Sequence, residues 1–157
     1  FGGEQENKLR AGTENVAGIV ALGYALEENL ANIITMREKL SNLVQITVKG
    51  LKELIPEIQI NGETAKQLPG IVNVTFPNAS GEAMMHLLDM KGICVSTSSA
   101  CNSGKDNPSH VLLALGLSEQ QAKSSIRISY GRYNTIDEAE KIVTAIYSAY
   151  LKIMANN

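Results

Sequence analysis

The 157 residues hold two thiols, and their surroundings differ. Cys101 sits in SSACNSG, among Ser98, Ser99, Asn102, Ser103 and Gly104. Small polar neighbours leave a sulfur reachable, and a nucleophilic thiol needs access and a lowered pKa. The same surroundings suit an ordinary surface cysteine, and the residues alone leave both readings open. Cys94 lies between Ile93 and Val95. A structural cysteine belongs in such an apolar run, so Cys94 is assigned to the core.

Arg127 falls inside the alternating segment IRISY. Alternation sets it on the face opposite Ile126 and Ile128, together with Ser129. An arginine there is either a solvated sheet residue or a fork for a carboxylate, which Arg grips better than Lys. Arg132, in the following turn, reads as a local structural contact. Thr13 follows Gly12 before a helix expected to begin near Glu14. Spacing favours Thr13 as that helix's N-cap, and a phosphate contact is the alternative. His86 and His110 have no partners at metal-ligand spacing, and no phosphate-binding G-x-x-x-x-G-K-[ST] loop is present.

These side chains need elements to hold them. Val16, Ile19, Val20, Leu26, Leu30, Ile33, Met36, Leu40, Leu43 and Leu51 recur at helical spacing, predicting one long helix or two joined helices before Pro56. Ile71–Phe76 alternates as a half-buried strand after the Pro69-Gly70 turn. Ser80 can cap a helix that stops at Gly92. Ile93–Ser96 reads as a short strand, and 97–108 as an exposed loop. Ser109 is expected to cap Val111–Leu115, which Gly116 ends, and Ser118 to cap a short helix through Ala122. Ile126–Tyr130 is the next strand, and Thr135 caps the last helix with Asp137 and Glu138 in its first turn. The fold class is therefore mixed α/β, an α+β layer with helices packed on a small sheet.

Composition narrows the partners. Hydrophobic residues make up 44% and charged residues 19%, the balance of an ordinary globular domain. A net charge of -2 and the absence of Trp argue against nucleic acid. No apolar run approaches the roughly 18 residues of a membrane span. Two cysteines do not make a disulfide framework, so a reducing cytoplasm is expected. FGGEQENKLR is no signal peptide, and a chain opening at Phe1 without Met reads as part of something longer.

Three segments together carry a resemblance. GGEQENKLRAGTEN resembles a glycine-rich stretch ending in R-[SA]-G-T-E-N. GICVSTSSACNSGKDNPSHVLLALGLS resembles a strand, a Ser/Ala/Cys loop and a P-S-H-V-L helix start. SSIRISYGRYNT resembles an S-[IL]-R-[IF]-S-[LY]-G-R-[YF] strand and turn. In this order they are similar to cysteine desulfurases of the NifS/IscS type, which belong to the aminotransferase-like enzymes dependent on pyridoxal 5'-phosphate (PLP). The chain departs from the pattern at Glu4, Asn7-Lys8 and Ala11.

The resemblance implies the C-terminal part of such an enzyme, with residues 1–35 as the tail of the large PLP-binding domain. Residues 36–157 would then be the small domain carrying the cysteine loop. It implies that Cys101 takes sulfur from L-cysteine as a persulfide, releasing L-alanine. Arg127 clamps the substrate carboxylate, and Thr13 reaches the PLP phosphate of the neighbouring subunit in a homodimer. Sulfur would pass to an acceptor protein such as an iron–sulfur scaffold, or to tRNA thiolation. The Schiff-base lysine of the family sits in a Ser-x-His-Lys segment, which none of the lysines here does. It is expected outside this chain, so the fragment alone is expected to be inactive. A selenocysteine lyase, another class V aminotransferase-like enzyme, and a non-catalytic thiol or interaction domain are the alternatives.

Overall fold

A computed structural model describes residues 2–97 and 108–156. The chain falls into two compact units, one reaching to Thr35 and the other starting at Met36. In the first unit a short turn at Glu6–Lys8 precedes the helix α1, Val16–Leu54. The helix starts two residues later than the expected Glu14. Asn15 Oδ1 accepts the Gly18 backbone N–H at 3.1 Å and so takes the capping role expected of Thr13. Within this unit Val16, Ile19, Val20, Leu22, Tyr24, Leu26, Leu30, Ile33 and Ile34 are exposed.

The second unit holds the remainder of α1, then β1 (Gln59–Ile60), β2 (Ile71–Thr75), α2 (Gly81–Asp89), α3 (His110–Ala114), α4 (Glu119–Lys123), β3 (Ser125–Ser129) and α5 (Ile136–Met154). The strands form one antiparallel sheet in the order β1-β2-β3. The period of two in β2 and β3 sends Val72, Val74, Ile126 and Ile128 to one face, where all four are buried. Leu43, Leu51, Met84, Leu88, Val143 and Ile146 from α1, α2 and α5 join them in a single core. Each such side chain withdrawn from water contributes on the order of 1.5–3 kcal/mol before entropy is counted. The face so formed fixes the register, because a one-residue slip would bury Arg127.

Caps and stops follow local chemistry. Ser80 Oγ accepts from Ala83 N, while Ser118/Gln121 and Thr135/Glu138 form reciprocal capping boxes. Gly92 and Gly116 take positive φ, and the residue after each donates its N–H back across six residues, Ile93 to Leu88 O and Leu117 to Leu112 O. Both glycines thus end their helices by the same left-handed closure. Ser109 occupies the N-cap position of α3 without a side-chain bond, contrary to expectation. Its backbone is extended and its side chain buried, so the carbonyl alone starts the helix. No helix among the described residues is long and apolar enough to cross a membrane.

Candidate active site

Arg127 lies at the middle of β3, exposed on the polar face of the sheet, as alternation requires. Asn73 of β2 stands directly opposite it on one side. Ser96 stands opposite on the other, joined by an antiparallel bridge in which Arg127 N donates to Ser96 O at 2.6 Å and Ser96 N to Arg127 O at 3.1 Å. Directly opposed residues share a face, so Arg127 is flanked by two small polar side chains. Among the described residues its guanidinium has no hydrogen bond or ion pair. An unpaired fork of five donors on a polar face is suited to an incoming anion.

The segment expected as the strand Ile93–Ser96 forms no strand, only the single bridge at Ser96. Its side chains still alternate in burial. Ile93 and Val95 pack partly buried against the core, which turns Cys94 the other way. Cys94 is exposed, so its assignment to the core is corrected. The apolar neighbours belong to the opposite face of the same segment. Cys101 lies outside the described residues.

Thr13 is exposed, and its carbonyl accepts a 3.3 Å bond from Arg10, whose guanidinium also meets Gly12 O and Glu14. Gly12 needs its left-handed φ of 110°, which frees the loop to bring Thr13 outward. An exposed hydroxyl beside this backbone is chemically suited to a phosphate oxygen. The Arg132 guanidinium lies over the neighbouring Tyr133 ring, the local contact expected, while its carbonyl accepts at 2.6 Å from Lys39 Nζ, distant in sequence on α1. A groove of about 510 Å³ runs between α1 and β1 beside the Lys52–Glu63 ion pair, away from the Arg127 face. Val44, Val48, Ile60 and Val72 supply its apolar lining, and the remaining lining residues are polar or charged, Gln45 and Lys49 among them. No cluster of metal-ligating side chains occurs among the described residues.

Sequence reading missed a buried polar cluster on the Arg127 face. Asn61, Thr75 and Ser125 are 5%, 3% and 0% exposed and bond to one another and to Asn73. They are distant in sequence, so only the strand pairing joins them.

The aminotransferase class-V family model matches residues 3–142. The chain belongs to that family. A cysteine desulfurase IscS of Clostridium botulinum is 43% identical over 147 residues, covering 92% of this chain and 37% of the relative. An IscS cysteine desulfurase of Methanosarcina thermophila is 43% identical over 145 residues, covering 92% and 36%. Among solved structures, a NifS-like protein from Rickettsia africae superposes with a TM-score of 0.82 at 35% identity, over 95% of this chain and 38% of that one. This class-V chain therefore spans little more than a third of the curated relatives' length.

Proposed function

We propose that these residues form part of a PLP-dependent cysteine desulfurase, converting L-cysteine to L-alanine with Cys101 as the sulfur acceptor. The observation that carries this reading is the Ser96–Arg127 bridge. It ties the start of the Cys101 segment to the strand bearing Arg127. Cys101 follows Ser96 by five residues, so an extended chain keeps the two Cα atoms within about 18 Å. A thiol at position 101 is therefore within chain reach of a substrate held at Arg127.

In the reaction Arg127 holds the α-carboxylate bidentately and so fixes where the substrate sulfur points. The Cys101 thiolate attacks that sulfur. An S–S bond forms, the substrate C–S bond breaks, and the carbon takes a proton to leave as alanine, with the sulfane on Cys101. A thiolate suits this attack because sulfur is a soft nucleophile. Bound PLP supplies the electron sink for the substrate carbon. Thr13 would meet its phosphate in a neighbouring subunit of a homodimer, and residues up to Thr35 would belong with the PLP-binding domain. The lysine that carries PLP comes from outside these 157 residues, since none here lies in Ser-x-His-Lys. An acceptor protein, such as an iron–sulfur scaffold in the reducing cytoplasm, would take the sulfur onward.

The test is alanine formation by the full-length protein loaded with PLP and supplied with L-cysteine. Cys101→Ala should abolish it. Full activity in Cys101→Ala would defeat the mechanism.

A further inference from the structure

The buried cluster beside Arg127 has a direction, and the direction has a chemical consequence. Ser125 Oγ donates to the Gln121 carbonyl at 2.7 Å, which uses its one proton. In its 2.8 Å bond with Thr75 Oγ1, Ser125 must therefore accept. Thr75 spends its proton there in preference to the longer 3.2 Å contact with Asn61 Oδ1. Thr75 then accepts from Asn61 Nδ2 at 2.8 Å. The amide nitrogen of Asn61 is turned to this group, and it donates to Asn73 Oδ1 at 2.6 Å. Asn73 has its oxygen committed to Asn61, so its NH2 is presented on the other side of the amide. That NH2 has no partner among the described residues.

Asn73 is half-buried and directly opposite Arg127 on the same face. Two donors thus stand on one face, and among the described residues neither has an acceptor. We propose that Asn73 is a second binding residue for the substrate carboxylate, donating to one oxygen while Arg127 grips the group. Asn61, Thr75 and Ser125 are positioning residues, a relay anchored on the α4 backbone that stops the Asn73 amide from flipping. The inference rests on the desulfurase reading of Arg127 and adds to it a neutral donor, which sharpens discrimination between a carboxylate and an uncharged group.

The test uses full-length protein loaded with PLP and two probes, 3-mercaptopropionate and its amide, 3-mercaptopropionamide, with dissociation constants from calorimetry. Asn73→Ala should weaken the acid about tenfold, the loss of one hydrogen bond to a charged group, and leave the amide within roughly twofold. Equal weakening of both probes, or of neither, overturns the proposal. Asn73→Asp keeps the acceptor for Asn61 and removes the donor, so it decides the matter if Asn73→Ala does not fold. It should weaken the acid more than the alanine variant would, and unchanged acid binding overturns the proposal. Arg127→Gln separates the two levels. Loss of the preference for acid over amide in Arg127→Gln but not in Asn73→Ala defeats this inference alone. An unchanged preference in Arg127→Gln defeats the carboxylate reading itself.

Discussion

Gly81 opens α2, and a methyl group placed there should destabilise the fold even though it improves a helix. A Cβ at Gly81 would lie 2.7 Å from Ser125 O and 2.8 Å from Lys123 O. Both obstacles are backbone atoms, so no side chain can swing aside. On the favourable side, alanine gains at most about 1 kcal/mol of helix propensity, and less at a first-turn position. That gain already contains the restriction of the unfolded chain, worth about 0.4–1 kcal/mol. Against this, relieving the contact means pushing the α4–β3 junction away, where Ser125 bonds Gln121 and Phe76 N bonds Ser124 O. Overpacking that shifts backbone costs about 1–3 kcal/mol, and breaking one buried hydrogen bond about 1–3 kcal/mol more. The steric side wins, and Gly81→Ala should lose about 1–2 kcal/mol net. Urea unfolding followed by circular dichroism should show a midpoint lowered by about 0.5–1 M with an unchanged slope. A midpoint equal to or above that of the parent chain would refute the reasoning.

Further outcomes rest on other contacts of the fold. Thr47 Oγ1 donates to Leu43 O, so Tyr130 donates in the buried 2.6 Å contact between them, and Tyr130→Phe should cost about 1 kcal/mol in denaturant melts. Burial raises the Tyr130 pKa; its stabilisation is complete below pH 10.0 and should fade as pH climbs from there through the raised folded value. Thr135→Ala removes the α5 cap and should cost about 0.5–2 kcal/mol. The Glu138 carboxyl is held below the usual range by Asn134 and then the Thr135 N–H, so its share is present above the ordinary Glu value and lost as acid titrates it, which a pH series of melts would show. Arg127→Lys keeps the charge but not the fork, and steady-state kinetics on the full-length enzyme should give a KM for cysteine about tenfold higher.

Much of this scaffold is written locally. Thr135 with Glu138, Ser118 with Gln121, and the glycines at 92 and 116 each act within six residues, so their roles can be read along the chain. The alternation of Ile126, Arg127, Ile128 and Ser129 assigns faces because one side of the sheet meets a single core. The same alternation, applied to Ile93, Cys94 and Val95, gives the exposed Cys94 that a reading of its neighbours' polarity missed. Thr13 lost the cap to Asn15 because the two positions differ only in where the first helical turn closes, a choice local composition leaves open. Asn61 and Asn73 were illegible for a different reason. Each looks like a solvent-facing residue until strand pairing sets Asn61 against Asn73 and Thr75. Of the three residues assigned to the site, the structure describes Arg127 and Thr13 as exposed, and Cys101 lies outside its described range.

Because Cys94 is exposed, the two thiols must be told apart directly. The full-length protein, loaded with PLP and given L-cysteine without reductant, should be digested and its cysteine peptides weighed. A mass gain of one sulfur atom on the Cys101 peptide, unchanged in Cys94→Ser and absent in Cys101→Ser, is the expected result. Sulfur carried on Cys94, or persisting in Cys101→Ser, would contradict the account.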